Sequence, residues 1–290
     1  MYMCIKLRRR AAVLALALTA AFLLALFVPQ EAGATPTEAG GTVRVPIIMY
    51  HSVTPDAKNA CDYIIPESTF RADMEYLRRS GYTAVFMSDL AAWEAGTAEL
   101  PEKPVVITLD DGYLNGLTVV EPVLEELGMK AVISVVGSYT QQYAENGDRC
   151  PDYAYLTWDD IRALSQSGCV EIGSHTYAMH SLSPRRGCAK MRGESTPRYR
   201  QVLENDLGRL QTELWDKAGV KPTVFAYPYG FYSADSLAVL KQLGFTAALG
   251  CEEKINSLDR SADELYHLGR FNRPAGISTA DFMRRALQER

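Results

Sequence analysis

The chain has 290 residues, a formal net charge of −5 and 47% hydrophobic residues. A net acidic chain of this kind repels polyanions, so the composition argues against nucleic acid as a partner and favours a neutral polymer. The length beyond the N-terminal segment suits one large α/β domain, which is the simplest organisation.

The N-terminal segment has the pattern of an export signal. Four basic residues among the first ten precede an apolar stretch from Ala11 to Val28, and Ala32-Gly33-Ala34 is a small-residue cleavage pattern. We expect residues 1–34 to be a signal peptide or a membrane anchor, since about 20 apolar residues span a bilayer. The protein is then secreted or anchored at the cell surface, and only an uncleaved segment contacts the membrane. The remaining chain has 26 basic and 34 acidic residues, a formal charge of −8.

A repeated pattern predicts the fold class. Residues 35–43, rich in Thr, Gly, Ala and Pro, are expected to be a linker, so that one domain covers 44–290. Within it, a helical stretch repeatedly closes with an apolar residue, three residues and a glycine, and an apolar run follows. This pattern occurs at 77–81, 124–128, 164–168, 240–244 and, more loosely, 215–219. Because glycine is the usual left-handed end of a helix, each copy predicts one αβ unit.

Candidate strands are the apolar and β-branched runs between these units. They are Val43–Tyr50, Thr83–Phe86, Val105–Leu109, Ala131–Val136, Val170–Ile172, Thr223–Ala226, Thr246–Leu249 and Tyr266–Arg270. Candidate helices begin at capping residues, namely Ser68 or Thr69, Ser88, Thr157 with Asp160 three residues later, Ser233 and Ser278. Strands that alternate with helices predict a parallel α/β fold, open or closed into a barrel, with sites at the carboxyl ends of the strands.

The irregular segments and the cysteines give weaker signals. Residues 137–156 and 181–198 are expected to be rim loops that shape a substrate groove. Cys4 lies in the export segment and leaves five cysteines, an odd number. A disulfide is plausible outside the cell among the loop-like positions Cys61, Cys150 and Cys188. The remaining two, Cys169 and Cys251, are expected to be buried as small apolar residues.

Two adjacent carboxylates, Asp110 and Asp111, follow a candidate strand and precede Gly112. Neighbouring residues on a strand point to opposite faces, so both can serve one site only where the strand ends and the chain turns. The pair could equally be a simple turn, because Asp-Gly is a common turn signal. The functional interpretation gains weight because His51 and His175 also come just after candidate strands.

The two imidazoles of His175 and His180 are five positions apart. That spacing places them about 140° apart on a helix and on opposite faces of a strand, so only an irregular segment at 176–179 brings them together. One carboxylate with two imidazoles leaves open positions on a metal, as hydrolytic sites require. Zinc is the natural expectation, and cobalt or nickel would also fit.

Three segments, taken together and in order, resemble a known family. They are TLDDG at 108–112, SHTYAMH at 174–180 and FAYPYG at 225–230. The chain resembles the polysaccharide deacetylases of carbohydrate esterase family 4, the NodB-homology domain, over roughly residues 44–290. The resemblance implies a distorted (β/α)7-type barrel with parallel strands and a site at the C-terminal rim. The five-residue histidine spacing is similar to the branch that acts on poly-β-1,6-N-acetylglucosamine.

The resemblance implies an enzyme, a metal-dependent hydrolase that removes N-acetyl groups from an N-acetylglucosamine-containing polysaccharide. The polymer would be peptidoglycan, an exopolysaccharide or a chitin-like chain. An O-acetyl esterase acting on xylan would use the same chemistry, and a sugar-binding protein that has lost catalysis would keep the same fold. Both alternatives stay open.

The resemblance also implies a role for each site residue. Asp110 would be the general base, and the metal ligands would be Asp111, His175 and His180. The backbone N–H of Tyr229 would bind the oxyanion. His51 would be the proton donor, as in the branch that takes its donor from the first strand, and His267 is then structural.

One position departs from the family pattern, in which an arginine holds the catalytic aspartate. Ala226 stands at that position. Arg270, at the end of the last candidate strand, is either the replacement that holds Asp110 or a member of a surface ion pair. Several aromatic residues near the predicted rim would either stack on sugar rings or pack in the core; they are Tyr113, Trp158, Tyr177 and Tyr227.

Overall fold

The computed structural model describes residues 41–288, in which parallel strands alternate with helices. The strands are β1 (Val43–Val45), β2 (Ile47–Tyr50), β3 (Ser52–Thr54), β4 (Ile64–Pro66), β5 (Thr83–Ala84), β6 (Pro104–Leu109), β7 (Ala131–Val135), β8 (Val170–Ser174), β9 (Val224–Ala226), β10 (Ala247–Leu249), β11 (Asn256–Leu258) and β12 (Phe271–Asn272). The α-helices are α1 (Glu67–Arg79), α2 (Met87–Glu94), α3 (Glu121–Leu127), α4 (Gly137–Asn146), α5 (Trp158–Gln166), α6 (Thr196–Ala218), α7 (Ser236–Gln242) and α8 (Thr279–Leu287).

The central sheet is parallel and has the strand order β10-β9-β8-β7-β6-β2-β12, with β5 paired to the start of β6. An isolated parallel bridge between Leu249 and Leu268 connects the β10 end to the segment that leads into β12. The sheet therefore curls into an open, distorted barrel, and the predicted (β/α)7-type fold class is confirmed. Two small pairs, β1 with β11 and β3 with β4, lie outside this sheet.

Burial explains why the central strands read as continuous apolar runs. Every residue of β6 is buried, and β7 is buried throughout as well. Strands of a parallel sheet are covered on both faces, so they lack the alternation seen in half-exposed strands. The main apolar core packs these strands against α1, α3, α5 and α8.

The helix-ending glycines of the repeated pattern behave as predicted. Gly81, Gly128, Gly168, Gly219 and Gly244 all have φ between 63° and 82°. This left-handed conformation lets the chain leave each helix and enter the next strand. The pattern therefore marks real helix ends.

The predicted helix starts are close to the observed ones. The capping box of Thr157 with Asp160 and the cap by Ser278 are both present. Three other helices begin one to three residues away from their predicted caps, at Glu67, Met87 and Ser236. In α2, for example, the N–H groups of Phe86, Met87 and Ser88 donate to the carboxylates of Asp89 and Glu171, so Ser88 is not needed as the cap.

Two strand predictions need correction. The predicted Val43–Tyr50 strand is two strands, because it breaks at Pro46, which has no N–H for a ladder. The predicted Tyr266–Arg270 strand is largely irregular, and the strand lies at Phe271–Asn272. The side-chain amide of Asn256 bonds both the N–H and the carbonyl of Gly269, so these groups do not join a ladder.

The expected rim loop at 137–156 is also wrong in part, because its first ten residues form α4. The first-turn N–H groups of Gly137 and Ser138 donate to the carbonyls of Thr176 and Tyr177. Tertiary hydrogen bonds thus stabilise a helix that local sequence does not favour.

The five cysteines within residues 41–288 are all free, so the expected disulfide is not formed. Cys188 does not lie in an exposed loop but is buried beside Tyr199 and Phe225. Cys169 is buried as expected, whereas Cys251 is exposed.

The predicted export segment, 1–34, lies outside the described residues, as does most of the predicted linker, 35–43. Both assignments and the 44–290 domain boundary stay predictions. Between residues 41 and 288 no helix has the length and hydropathy needed to cross a membrane.

Candidate metal centre

The predicted site residues converge at the carboxyl rim of the sheet. His51 follows β2, Asp110 and Asp111 follow β6, and His175 follows β8. Two consecutive residues in the turn after β6 have a left-handed backbone conformation: Asp111 has a φ of 72° and Gly112 has a φ of 76°. A side chain on Gly112 would collide with Val135, at 2.9 Å. The turn therefore lets both carboxylates face one site.

Asp111, His175 and His180 form a cluster whose candidate ligand atoms all lie within 4.8 Å of one another. Asp111 Oδ1 is 3.1 Å from Nε2 of His180 and 3.6 Å from Nε2 of His175. The five-residue spacing is therefore no obstacle to a shared site. The irregular segment that the spacing requires is present, because no helix or strand covers 175–180.

Two features hold that segment in shape. Thr176 takes a left-handed φ of 73°, and its Oγ1 accepts a hydrogen bond from the N–H of Met179. The carboxylate of Asp206, on α6, accepts hydrogen bonds from the N–H groups of Tyr177 and Ala178 at 2.7 and 2.9 Å. Sequence reasoning missed Asp206, because nothing in the local pattern of α6 marks an aspartate that reaches another segment.

The cluster fits a bound cation. Asp111 Oδ1 is buried, and it faces the Nε2 atoms of His180 and His175, which have no proton to donate to it when they bind a metal. Burial would raise the pKa of Asp111, but His180 and His175 outweigh it, so the pKa is lowered and the carboxylate is ionised. Burial lowers the pKa of His175, which keeps that imidazole neutral and able to bind a metal. A carboxylate with two imidazoles is a donor set found at catalytic metal sites, so this cluster is a possible metal site.

The other ring nitrogens of both histidines have partners. His175 Nδ1 lies 2.8 Å from the carbonyl oxygen of Ala226. His180 Nδ1 lies 3.2 Å from the hydroxyl oxygens of Tyr139 and Tyr229. Such outer contacts orient metal-binding imidazoles. Tyr139 was missed at the sequence level, because its segment reads as a loop.

Asp110 is held by Arg270. The guanidinium reaches both carboxylate oxygens, at 2.7 and 2.8 Å, and it also donates to Thr108 Oγ1 and to the carbonyl of Gly250. Burial would raise the pKa of Asp110, but the charge of Arg270 holds it well below its usual range. Arg270 is fully buried, so the alternative of a surface ion pair is wrong.

His51 lies close enough to both carboxylates for their charges to act on it. Burial lowers its pKa, while Asp110 and Asp111 act in the opposite direction. Its Nδ1 is buried without a hydrogen-bond partner among residues 41–288, and its ring packs edge-on against Tyr63, which is 59% exposed. His267, by contrast, is exposed and lies near Tyr232, away from the cluster.

Tyr229 occupies the turn after β9. It has a left-handed φ of 58°, a conformation that is costly for a residue with a side chain and often belongs to functional sites. Its ring lies 4.6 Å from that of His180, and it is 41% exposed. The side chain of Tyr229 thus lies beside the cluster.

The aromatic residues expected near the rim divide into two groups. Trp158, Tyr177 and Tyr227 are buried in the core, so stacking on a sugar is wrong for them. Tyr113 is half-buried and stacks on Tyr155 instead.

A parallel, open α/β barrel with carboxylates and imidazoles converging at its carboxyl rim has the architecture of a hydrolytic enzyme. Residues 97–248, more than half of the chain, match the family model described as polysaccharide deacetylase. The chain belongs to the polysaccharide deacetylase family, and the resemblance read from the three motifs is confirmed.

Relatives support the same assignment. The chain is 30% identical over 217 residues to poly-beta-1,6-N-acetyl-D-glucosamine N-deacetylase of Escherichia coli K12. This alignment covers 68% of the present chain. The matched part spans only 32% of that relative's length. Among solved structures, a de-N-acetylase from Aggregatibacter actinomycetemcomitans has a TM-score of 0.70 and 28% identity, covering 83% of this chain and 100% of that one. The BpsB deacetylase domain from Bordetella bronchiseptica has a TM-score of 0.65 and 25% identity, covering 82% and 97%.

Proposed function

We propose that this chain is a metal-dependent N-deacetylase that releases acetate from a polymer of N-acetylglucosamine. The observation that carries the proposal is the buried pairing of Asp110 with Arg270 beside the cluster of Asp111, His175 and His180. A carboxylate held ionised next to a cation site can accept a proton from water, which amide hydrolysis requires.

Asp111, His175 and His180 would hold the metal, most naturally zinc, with cobalt or nickel as alternatives. A divalent ion bound there supplies Lewis acidity, which polarises a carbonyl and strengthens water as a nucleophile. Asp110 then accepts the proton of the attacking water. The backbone N–H of Tyr229 donates to the developing oxyanion, a contact worth about 3 kcal/mol.

His51 completes the reaction as the proton donor. Its protonated ring gives a proton to the sugar nitrogen as the C–N bond breaks, so that the products are acetate and a free amine. An amide nitrogen leaves poorly without a proton, so the reaction requires a proton donor. The position of His51 after β2, at the same rim as both carboxylates, supports this role.

The proposed substrate is a β-1,6-linked N-acetylglucosamine exopolysaccharide. The E. coli relative and a 21% identical relative from Staphylococcus aureus both carry the name of such an N-deacetylase. The excess of acidic over basic residues suits a neutral polymer or one that gains positive charge as it loses acetyl groups. We propose that the chain acts outside the cytoplasm, secreted or anchored, because its first residues read as an export signal.

A non-catalytic sugar-binding role depended on the absence of the family arginine at Ala226. Arg270 makes the contact with Asp110 that this arginine would make, so the reason for that alternative is removed.

The proposal is tested by acetate release from a panel of glycans. The panel contains poly-β-1,6-N-acetylglucosamine, peptidoglycan, chitin oligomers and acetylated xylan, each incubated with and without a chelator. We expect chelator-sensitive release from the first polymer above the others. Release mainly from acetylated xylan would make the chain an O-acetyl esterase, and no release by the zinc-bound protein would leave a sugar-binding role.

A further inference from the structure

The two imidazoles of the candidate metal centre have chemically different partners. His175 Nδ1 faces a backbone carbonyl, that of Ala226, at 2.8 Å. His180 Nδ1 faces two phenol oxygens, those of Tyr139 and Tyr229, each at 3.2 Å. The difference matters because the partner at Nδ1 decides which nitrogen carries the proton.

A carbonyl oxygen only accepts hydrogen bonds, so His175 must carry its proton on Nδ1, which leaves a lone pair on Nε2. No such constraint acts on His180, because a phenol hydroxyl both donates and accepts. Its Nε2 can bind a metal only if Nδ1 holds the proton, and that proton needs an acceptor. The phenol oxygens are the acceptors within reach.

We propose that Tyr139 is a positioning residue for metal binding: its phenol oxygen accepts the Nδ1–H of His180 and so directs the Nε2 lone pair towards Asp111. The inference rests on the proposed role of His180 as a metal ligand. The hydroxyl oxygen of Tyr229 is a second acceptor for the same N–H, so either hydroxyl can accept this hydrogen bond.

Tyr139 is tied to the segment that carries His180. It lies in the first turn of α4, where Gly137 and Ser138 donate hydrogen bonds to the carbonyls of Thr176 and Tyr177 at 3.1 and 2.7 Å. A side chain on Gly137 would lie 2.5 Å from the ring of Tyr177, so the two segments are in close contact. The hydroxyl of Tyr139 therefore keeps its position relative to the imidazole.

The ring of Tyr139 has a separate packing role. It contacts the ring of Tyr155 at 4.6 Å, and Tyr143, one turn further along α4, contacts the same ring at 5.4 Å. Replacing either tyrosine with phenylalanine keeps the ring and removes only the hydroxyl. Tyr143→Phe is therefore a matched control for Tyr139→Phe.

The test is zinc affinity, measured by competition with a chromophoric chelator. The proteins are wild type, Tyr139→Phe, Tyr229→Phe, the double variant and Tyr143→Phe. Loss of an outer partner of a metal-binding histidine typically weakens metal binding about 10–100-fold. We expect about tenfold weaker zinc binding when Tyr139→Phe is introduced, either alone or in the Tyr229→Phe background, and an unchanged affinity in Tyr143→Phe. Thermal unfolding of the metal-free variants checks that all are folded.

The outcomes separate the two proposals. Zinc binding by the wild type with no effect of Tyr139→Phe in either background overturns the positioning role and leaves the proposed function intact. An equal loss in Tyr143→Phe also overturns it, because packing would then explain the effect. A wild type that binds no zinc contradicts the proposed function and the inference together.

Discussion

Arg270 and Asp110 form a bidentate pair in which both side chains are buried, with N–O distances of 2.7 and 2.8 Å. Arg270 directly precedes β12, whose residues pair with Ile48 and Met49 of β2, and its buried guanidinium donates to Thr108 Oγ1 as well as to Asp110. A planar guanidinium fixes both oxygens of a carboxylate, which a lysine cannot do. The pairing accounts for how Asp110 is oriented in a chain with alanine at position 226.

Changing Arg270 to lysine should therefore impair catalysis. The charge remains, but Asp110 loses its two-point contact, and a misplacement of about 1 Å can cost about 100-fold in rate. We expect kcat to fall by about that factor while zinc content is kept. Steady-state acetate release and metal analysis measure the two quantities.

The chain contains a matched control for this variant. Arg273 is also fully buried and pairs with Asp73, which further accepts hydrogen bonds from Tyr50 and Thr279. Arg273→Lys should lower the free energy of unfolding, as we also expect for Arg270→Lys, but keep kcat per folded molecule. An equal loss of kcat in both variants would mean that general destabilisation explains the result.

Changing His51 to alanine should lower kcat by about 10²–10⁴-fold, the range for loss of a general acid. Zinc stoichiometry should not change, because His51 is not part of the metal cluster. Metal analysis and acetate release on the same preparation give both values. A zinc-depleted variant would show that His51 is a ligand and not the proton donor.

Changing His180 to alanine should strip the metal, since one of three protein ligands is lost. His267→Ala is the control, because His267 is exposed and is not one of the three clustered residues. Metal analysis after dialysis should find zinc in wild type and His267→Ala but not in His180→Ala. The reverse result, or a zinc-replete and active His180→Ala, is incompatible with the assigned ligands.

Two glycine substitutions test the packing around the histidine segment. Gly137→Ala places a methyl group 2.5 Å from Tyr177 and 2.9 Å from Leu210, so it should destabilise the fold by about 1–3 kcal/mol. Gly208→Ala, inside α6, meets Leu243 at an ordinary 3.8 Å and should stabilise the fold by up to about 1 kcal/mol. Urea unfolding measures both, and a stable Gly137→Ala would refute the close contact.

The sequence predicts the fold where local and tertiary preferences agree. The helix-ending glycines and the cap at Thr157 carry their signal in a few adjacent residues, and the buried strands carry it in their composition. Prediction fails where a side chain that is distant in the sequence takes the backbone hydrogen bonds that local structure would use. Asn256 takes the hydrogen bonds of Gly269, so the expected last strand is displaced. Helix α4 is hidden because contacts with the histidine segment stabilise it.

In the candidate site, too, the residues that lie in local motifs are predictable and their distant partners are not. Asp110 and Asp111 are visible from the turn that follows a strand, and the histidines are visible from a family motif. The partners that hold them in place are not visible, because Asp206 and Tyr139 act across the fold from positions without a motif. The sequence left Arg270 with two interpretations, and only its burial distinguishes them.

The decisive experiment measures acetate release from poly-β-1,6-N-acetylglucosamine before metal removal, after metal removal and after metal return. The proposed function predicts that the wild type loses release when a chelator removes the metal and regains it with one equivalent of zinc per chain. Asp110→Asn should bind the same zinc and release almost no acetate. Unchanged release in the chelated protein, or full activity of Asp110→Asn, is incompatible with the proposed function.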